Sequence, residues 1–181
     1  MYDSRIEKVL FTKEQIERKC QELGTMLSNI YKGKIPVFLC MLRGALPFYA
    51  ELIKNITIDM EMEYMYANSY QGTKSTGVLN IKLDIGIDIR DREVLIVDDI
   101  IDTGVTMTKI YKELVSRGAA SVKICTFLNK PNRAKGITIE PDYYGYDIPV
   151  KYVVGFGMDY NNIMRNLPYI GVLRQEIYQK G

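Results

Sequence analysis

The sequence predicts an α/β protein with a doubly wound, mainly parallel β-sheet. Two units carry this prediction, 35–53 and 93–116, and each begins with an apolar run of strand length and continues into a helical pattern. Apolar runs of this kind are typical of parallel strands buried on both faces, and alternating strands and helices cover such a sheet on both sides. In sheets of this type ligands bind at the carboxyl ends of the strands, so functional residues are expected there.

Each element has a local signal in the sequence. Thr12 and Gln15 have the spacing of a capping box, which together with the apolar spacing that follows predicts a helix over 13–30. Further helices are expected over 45–53 and 106–116. The predicted strands have apolar or alternating patterns and are 35–42, 58–67, 78–84, 93–97 and 121–128.

A polar segment rich in Gly, Ser and Thr, 68–77, separates two of the predicted strands. It is long for a connection inside a compact domain. Two interpretations remain open: a disordered hairpin loop, or a lid that closes over an active site.

Composition excludes several classes of function. Histidine is absent, which excludes Ser-His-Asp hydrolases, Cys-His proteases and HExxH metalloenzymes. Any metal is expected to prefer oxygen ligands, most simply Mg²⁺. The three cysteines are scattered, which argues against a disulfide framework or a zinc site, and Cys40 and Cys125 are predicted to be buried thiols.

Charge and hydropathy also limit the partners. Lys and Arg number 24 against 22 Asp and Glu, so there is no electrostatic case for binding nucleic acid or a membrane surface. No apolar run approaches transmembrane length, and the first residues have no signal-peptide core. The expected location is the cytoplasm. The chain of 181 residues is long enough for one domain with a sizeable core.

The most informative segment is VLIVDDIIDTGVT, residues 94–106. A buried strand ends in Asp98 and Asp99, and a turn through DTG then opens a helix. The first-turn N–H groups of that helix, at 103–106, lack intrahelical partners and are suited to bind phosphate. Asp98 and Asp99 can accept hydrogen bonds from vicinal hydroxyls or hold Mg²⁺ through water. The sequence lacks the Walker and Rossmann glycine patterns and the layout of a response-regulator receiver, and an acidic loop in water does not account for the run.

This segment resembles the phosphoribosyl-pyrophosphate (PRPP) motif of type I phosphoribosyltransferases. Within that group the chain is similar to bacterial hypoxanthine-guanine phosphoribosyltransferases from about residue 5 to residue 174. The segments that match in the same order are MLRGALPFYAELI at 41–53, NSYQGT at 68–73, LNKP at 128–131, KYVVGFGMDY at 151–160 and RNLPYIGVL at 165–173.

The resemblance implies a single type I phosphoribosyltransferase domain over 1–181. Its core is expected over about 35–135, with a mobile loop over about 68–80. A small hood, built from about 1–12 and 137–181, is expected to cover the base site. The implied reaction transfers the 5-phosphoribosyl group of PRPP to N9 of hypoxanthine, and of guanine, giving IMP or GMP and pyrophosphate with Mg²⁺.

The resemblance also implies a role for each matching residue. PRPP and its 5′-phosphate are assigned to Asp98, Asp99, Asp102, Thr103, Gly104, Val105 and Thr106. Pyrophosphate is assigned to Leu42, Arg43, Gly44 and Arg165, with a non-proline cis peptide bond in that turn, and the tip of the lid to Ser69 and Tyr70. The purine is assigned to Ile100, Tyr152, Val153 and Asp159, and Mg²⁺ to Asp98, Asp99 and Asp159.

Asp102 is the implied catalytic base, placed near N7 of the purine, and Tyr152 is the implied stacking partner of the base opposite Ile100. Two alternatives remain open: Asp102 as a helix N-cap, and Tyr152 as an ordinary strand aromatic. One position departs from the family pattern, since Glu140 stands where a lysine that contacts the 6-oxo group is expected. We expect Glu140 to lie outside the base pocket, with Lys130 or Lys135 as the candidates to reach it.

Alternatives to the implied function also remain. The first is preference for xanthine or adenine, and the second is a regulatory protein of the same fold that binds PRPP and RNA, for which the net charge of +2 gives no support. The expected partners are PRPP, a purine base and further copies of the chain, as a homodimer or homotetramer. Neither nucleic acid nor a membrane is expected as a partner.

Overall fold

A computed structural model describes residues 2–71, 74–102, 104–131, 139–148 and 152–179, and the side chains of 68–78 also lie outside this description. The strands are β1 (Ile6–Phe11), β2 (Val37–Met41), β3 (Glu61–Gln71), β4 (Lys74–Leu83), β5 (Glu93–Ile100), β6 (Ser121–Asn129), β7 (Tyr143–Asp147), β8 (Val153–Val154) and β9 (Ile170–Leu173). The helices are α1 (Lys13–Ile30), α2 (Leu46–Ile53), α3 (Val105–Ser116) and α4 (Gln175–Tyr178).

The main sheet has six strands in the order β4-β3-β2-β5-β6-β7. All neighbours pair in parallel except β3 and β4, which confirms the predicted mainly parallel sheet. Every residue of β2 is buried, as expected for a central strand. The connection through α2 runs from β2 to its neighbour β3, toward one edge of the sheet. The connection through α3 runs from β5 to its neighbour β6, toward the other edge. Right-handed crossovers therefore place α2 and α3 on opposite faces.

Helix α1 begins and ends where the sequence predicts. The Thr12 side chain accepts from the N–H of Gln15, and the Gln15 side chain accepts from the N–H of Thr12, which completes the capping box. The apolar face of α1, which includes Ile16, Cys20 and Leu27, is buried in the main core. This face joins the helix to α2 and to the outer part of the sheet.

A second, three-stranded sheet has the order β1-β9-β8 and is antiparallel. It joins the beginning of the chain to its last strands and has its own small core around Ile6, Val154 and Leu173. Strand β8 follows Tyr152, so this sheet holds one wall of the cavity described below. The predicted hood segment 137–181 also contains β7, which extends the main sheet.

Two boundaries differ from the sequence prediction. Strands β3 and β4 continue into the polar segment, where Tyr70 pairs with Ser75 and Gln71 with Lys74. Backbone pairing in an edge hairpin needs no apolar side chains, so the pattern gave no signal of these strands. Strand β5 continues through Asp98 and Asp99 to Ile100, because its backbone pairs with β6 over this stretch. The acidic pair therefore lies in the strand and not in a loop after it.

The cysteine prediction is confirmed. Cys20, Cys40 and Cys125 are free and buried. Burial raises the pKa of the Cys20 and Cys40 thiols to about 12 and also raises that of Cys125, so these thiols stay protonated and unreactive at neutral pH. Among the described residues, no helix is long and apolar enough to span a membrane.

The capping box provides a test of the α1 boundary. We expect Thr12→Ala to lower the free energy of unfolding by about 1 kcal/mol, because it leaves a first-turn N–H without its acceptor. Thr25→Ala is the matched control: Thr25 is exposed on the same helix and bonds only to the Gln21 carbonyl. That change should be neutral or stabilising, since alanine has the higher helix propensity. Urea unfolding of both variants measures the difference, and equal losses would contradict the capping role.

Candidate active site

The site lies where the central strands β2 and β5 end. Cys40 pairs with Val97, so the turn after β2 and the acidic end of β5 emerge side by side. The turn contains the expected cis peptide bond between Leu42 and Arg43. The strand order reverses between these two strands, which is the usual place for a ligand in an open α/β sheet.

Two glycines bring three segments of the chain into close contact. A Cβ atom at Gly44 would lie 2.1 Å from Oδ2 of Asp99, and one at Gly157 would lie 1.9 Å from the Gly44 carbonyl oxygen. Gly157 also has φ +100°, a conformation that favours glycine. The turn after β2, the end of β5 and the loop that contains Gly157 therefore meet at a point where no side chain fits. Gly157 was not predicted as a site residue, and its only signal was the GFG triplet within KYVVGFGMDY.

Arg165 and Asp159 are held within the loop that contains Gly157. Nη1 of Arg165 donates to the Gly157 carbonyl at 2.6 Å, and Nη2 lies 2.6 Å from Oδ1 of Asp159. The other oxygen of Asp159 accepts from the N–H of Asn162 at 2.7 Å. A cavity of about 380 Å³ is bordered by Leu42, Arg43 and Arg165, so residues assigned to pyrophosphate lie together.

Arg43 itself is exposed at the edge of this cavity. Its guanidinium lies 5.4 Å from the ring centre of Tyr66, on β3, and the ammonium of Lys82, on β4, lies 5.4 Å from the same ring. Both cations are thus near enough to be attracted to the ring. Lys82 on β4 therefore adds positive charge beside the turn, and Tyr66 on β3 supplies the ring that both cations face.

The adjacent carboxylates of Asp98 and Asp99 are partly buried and mutually repulsive. The N–H of Asp99 donates to Oδ1 of Asp98 at 2.9 Å, and that of Ile100 donates to Oδ1 of Asp99 at 2.7 Å. Desolvation raises the pKa of Asp98 well above its usual value, and the charge of Asp99 adds to this. Desolvation also raises the pKa of Asp99. The hydrogen bond from the N–H of Ile100 and the positive charge of Arg165 partly offset this increase. A ligand that supplies positive charge or hydroxyl donors here would relieve this cost.

A second cavity at this edge has a volume of about 500 Å³, within the range of small-molecule sites. Its lining includes six of the predicted site residues, namely Asp99, Ile100, Asp102, Tyr152, Val153 and Asp159. It also includes Lys130 and Tyr178. Tyr178 was not a predicted site residue, because no pattern in the sequence connects the end of the chain with this cavity.

Asp102 pairs with Lys130 across the cavity. Nζ of Lys130 lies 2.8 Å from Oδ1 of Asp102, and the lysine is 19% exposed whereas the aspartate is 71% exposed. Helix α3 is capped by Gly104, with φ +70°, so the interpretation of Asp102 as its N-cap is wrong. Asp102 lies two residues before this N-cap, and its carboxylate pairs with Lys130.

The other residues of the segment predicted to bind phosphate lie at the start of α3. The Gly104 carbonyl accepts from the N–H of Thr108 at 2.8 Å and from its hydroxyl at 2.7 Å. Val105 is exposed and Thr106 is partly buried in the first turn, where backbone N–H groups have no intrahelical acceptor. Thr103 lies outside the described residues. The backbone of Ser69 and Tyr70, the expected tip of the lid, belongs to β3, and their side chains lie outside the description.

Tyr152 belongs to an aromatic group and not to the core. It is 44% exposed, stacks on Tyr178 with the ring centres 5.2 Å apart, and meets Tyr160 edge to face at 5.7 Å. Partial burial is the main cause that raises the pKa of its hydroxyl, and the negative charge of Asp159 adds to this increase. The hydroxyl therefore stays neutral. The side chain is therefore available to a flat ligand in the cavity.

Glu140 is exposed and does not line the cavity, whereas Lys130 does. Lys135 lies outside the described residues. A lysine is thus present beside Asp102 although position 140 carries a glutamate.

Comparison with known proteins gives a consistent result. Residues 8–161 match the family model described as the phosphoribosyl transferase domain. The chain is 49% identical to the hypoxanthine-guanine phosphoribosyltransferase of Lactococcus lactis, covering 98% of this chain and 97% of that one. It is 40% identical to the hypoxanthine-guanine-xanthine phosphoribosyltransferase of Tritrichomonas foetus, covering 96% and 94%. It superimposes on a hypoxanthine phosphoribosyltransferase structure from Staphylococcus aureus with a TM-score of 0.91 at 43% identity, covering 96% and 95%.

We expect the carboxyl groups of Asp98 and Asp99 to lower the stability of the free protein at neutral pH. Because their pKa values are raised in the folded state, these groups contribute most to folding stability at acid pH, where they are protonated. This contribution is lost as the pH rises through the raised pKa values. We expect Asp98→Asn, which keeps an acceptor for the N–H of Asp99, to raise the free energy of unfolding at neutral pH by about 1 kcal/mol. The gain should shrink at acid pH.

Asp84→Asn is the control for this prediction, because the pKa of Asp84 is lowered by its hydrogen bonds with Arg117. That change should lower stability or leave it unchanged at neutral pH. Urea unfolding at neutral and acid pH measures both variants. A loss of stability in Asp98→Asn at neutral pH would contradict the repulsion.

Proposed function

The chain belongs to the phosphoribosyltransferase family, and from this premise we propose that it transfers the 5-phosphoribosyl group of PRPP to N9 of hypoxanthine, and of guanine. The products are IMP or GMP and pyrophosphate, which makes the protein a purine salvage enzyme. The observation that supports this proposal most is the Asp102–Lys130 pair in a cavity lined by Ile100 and Tyr152. A flat ring with polar groups on one edge fits these side chains.

The purine is proposed to lie between Ile100 and Tyr152. The ammonium of Lys130 would then donate to the 6-oxo group, and Asp102 would accept the proton at N7. The backbone of Val153 would contact the base edge. An ammonium group has only donors, so it favours a 6-oxo acceptor over the 6-amino group of adenine. This assignment gives Lys130 the role that the family pattern led us to seek at position 140.

PRPP is proposed to bind along the carboxyl ends of β2 and β5. Its 5′-phosphate would accept from the first-turn N–H groups of α3, where the helix dipole favours negative charge. The ribose hydroxyls would donate to Asp98 and Asp99. The pyrophosphate would meet the turn 42–44 and Arg165, beside the positive charge of Arg43.

Mg²⁺ fits the chemistry of these residues. Asp98, Asp99 and Asp159 supply carboxylate oxygens, yet among the described residues no group of three or more His, Cys, Asp or Glu side chains is arranged to hold a metal ion. Mg²⁺ usually binds through one or two carboxylates together with substrate phosphates, so a site made of protein side chains alone is not required. When bound, Mg²⁺ would neutralise charge on the leaving pyrophosphate.

In the proposed reaction, the bond from C1′ to the pyrophosphate oxygen breaks and a bond from C1′ to N9 of the purine forms. Positive charge develops on the ribose ring as the pyrophosphate leaves. Asp102 holds the purine proton at N7, and the Ile100–Tyr152 sandwich fixes N9 toward C1′. Residues 69–80 are proposed to close over the site and exclude water, which would otherwise hydrolyse the activated sugar.

Xanthine is the second candidate substrate, because the relative from Tritrichomonas foetus is named for hypoxanthine, guanine and xanthine. The test is pyrophosphate release from PRPP and Mg²⁺ with hypoxanthine, guanine, xanthine and adenine supplied one at a time. Turnover with hypoxanthine or guanine is expected, and chelation of Mg²⁺ should abolish it. Turnover with adenine alone would contradict the assignment of Lys130, and PRPP binding without any turnover would favour a regulatory role.

We also propose that the chain assembles as a homodimer or homotetramer, as the family resemblance predicts. Light scattering coupled to size-exclusion chromatography distinguishes the two. A monomer at assay concentration would contradict the proposal.

Lys130→Met tests the 6-oxo contact. We expect the KM for hypoxanthine to rise about tenfold or more, because one charge-assisted hydrogen bond is lost, with little change in the KM for PRPP. Lys123→Met is the matched control, since Lys123 also pairs with an aspartate at 2.8 Å but lies away from the cavity. Equal effects of the two substitutions would contradict a specific contact.

Asp102→Asn tests the proposed base. We expect kcat to fall by about 10² or more while PRPP affinity, measured by calorimetry, stays nearly constant. Asp88→Asn, at an exposed aspartate paired with Arg90, should leave kcat unchanged. Loss of PRPP affinity with normal kcat in the Asp102 variant would show that this residue serves PRPP binding and would contradict its role as the base.

A further inference from the structure

Within the proposed function, we infer that Tyr178 is a second aromatic wall of the purine cavity and sets the affinity for the base. Tyr178 is the last residue of α4 and lines the same cavity as Ile100, Asp102 and Tyr152. Its ring stacks on that of Tyr152, with the ring centres 5.2 Å apart and an angle of 25° between the planes. Tyr178 thus contacts the one aromatic side chain that is proposed to stack on the purine.

Tyr152 needs such support because the core does not hold it. Its side chain is 44% exposed, and it precedes β8, a strand of two residues. The stacked ring of Tyr178 and the edge-to-face contact with Tyr160 at 5.7 Å both restrain the plane of Tyr152. Offset stacking and edge-to-face contacts are the favourable arrangements of aromatic pairs. The plane on which the base would stack is therefore set before the base binds.

Contacts at both ends of α4 hold the helix that carries Tyr178. The hydroxyl of Tyr160 donates to the Ile177 carbonyl at 2.9 Å, so one tyrosine both contacts Tyr152 and fixes the end of α4. At the start of α4, the N–H of Arg174 donates to the Arg5 carbonyl at 3.0 Å, and its Nε donates to the Ser4 carbonyl at 2.9 Å. The bonds of Arg174 tie the start of α4 to the beginning of the chain, and the bond from Tyr160 holds its end, so both ends of the helix that carries Tyr178 are restrained.

Tyr178 borders the cavity, which keeps a volume of about 500 Å³ with the ring in place, enough for a small-molecule ligand. In the proposal the base occupies this volume and Tyr178 keeps its position. Because Tyr178 and Tyr152 contact each other through their rings, the aromatic ring and not the hydroxyl is expected to matter.

The experiment compares Tyr178→Leu with Tyr178→Phe in steady-state kinetics with hypoxanthine and PRPP. Tyr178→Leu should raise the KM for hypoxanthine about 3- to 10-fold, the factor expected for one aromatic pair, without raising the KM for PRPP. Tyr178→Phe should restore the hypoxanthine KM, since the ring is kept. Tyr144→Leu is the matched control, because Tyr144 is 43% exposed and lines a separate cavity against α1.

Three results would overturn the inference. An unchanged hypoxanthine KM in Tyr178→Leu would show that the ring contributes nothing, and a lowered KM would make Tyr178 a competitor of the base. Equal increases in the KM values for hypoxanthine and PRPP would indicate general distortion of the site. If the wild-type protein turns over no purine, the proposed function fails and this inference with it. A working wild type with an unaffected Tyr178→Leu variant contradicts the inference alone.

Discussion

The site depends on one constraint, the close approach of backbone and carboxylate at the ends of β2 and β5. Gly44 lies directly against Asp99, and Gly157 lies directly against Gly44, so each contact requires the absence of a side chain. This contact joins the first strand unit, the acidic end of the second and a loop from the last third of the chain. Because Arg165 bonds to Gly157 and Asp159, the cation at this edge is placed by the same contact.

The same geometry carries an electrostatic cost that a ligand can relieve. Asp98 and Asp99 are neighbours at a partly buried strand end, and desolvation raises the pKa values of both. Asp102, by contrast, is exposed and paired with Lys130. The two carboxylates next to the proposed sugar site each accept a backbone N–H, whereas the carboxylate in the proposed base site is paired with an ammonium group. The proposed substrates supply what each place lacks: cations and hydroxyl donors at the first, and an acceptor for the ammonium at the second.

Sequence patterns predicted what is local and missed what depends on distant contacts. The capping box of Thr12, the buried strands and the phosphate-binding motif are contiguous, so the residues that define them are visible in order. Gly157 contacts Gly44 and Tyr178 contacts Tyr152, partners that are distant along the chain, and apart from the GFG triplet no local pattern indicates these contacts. Lys130 was a candidate only because Glu140 departed from the family pattern, and the fold brings it to Asp102. The parts of β3 and β4 within 68–77 were missed because their sequence is polar and backbone pairing does not require an apolar pattern.

The most direct test of the proposed base site is a crystal structure of the protein with IMP. We predict that the 6-oxo oxygen lies about 3 Å from Nζ of Lys130, with the base between Ile100 and Tyr152 and the 5′-phosphate at the first turn of α3. The Asp102–Lys130 ion pair should then be open or shared with the base. IMP bound outside this cavity, or with its 6-oxo group turned away from Lys130, would contradict the proposed binding of the purine.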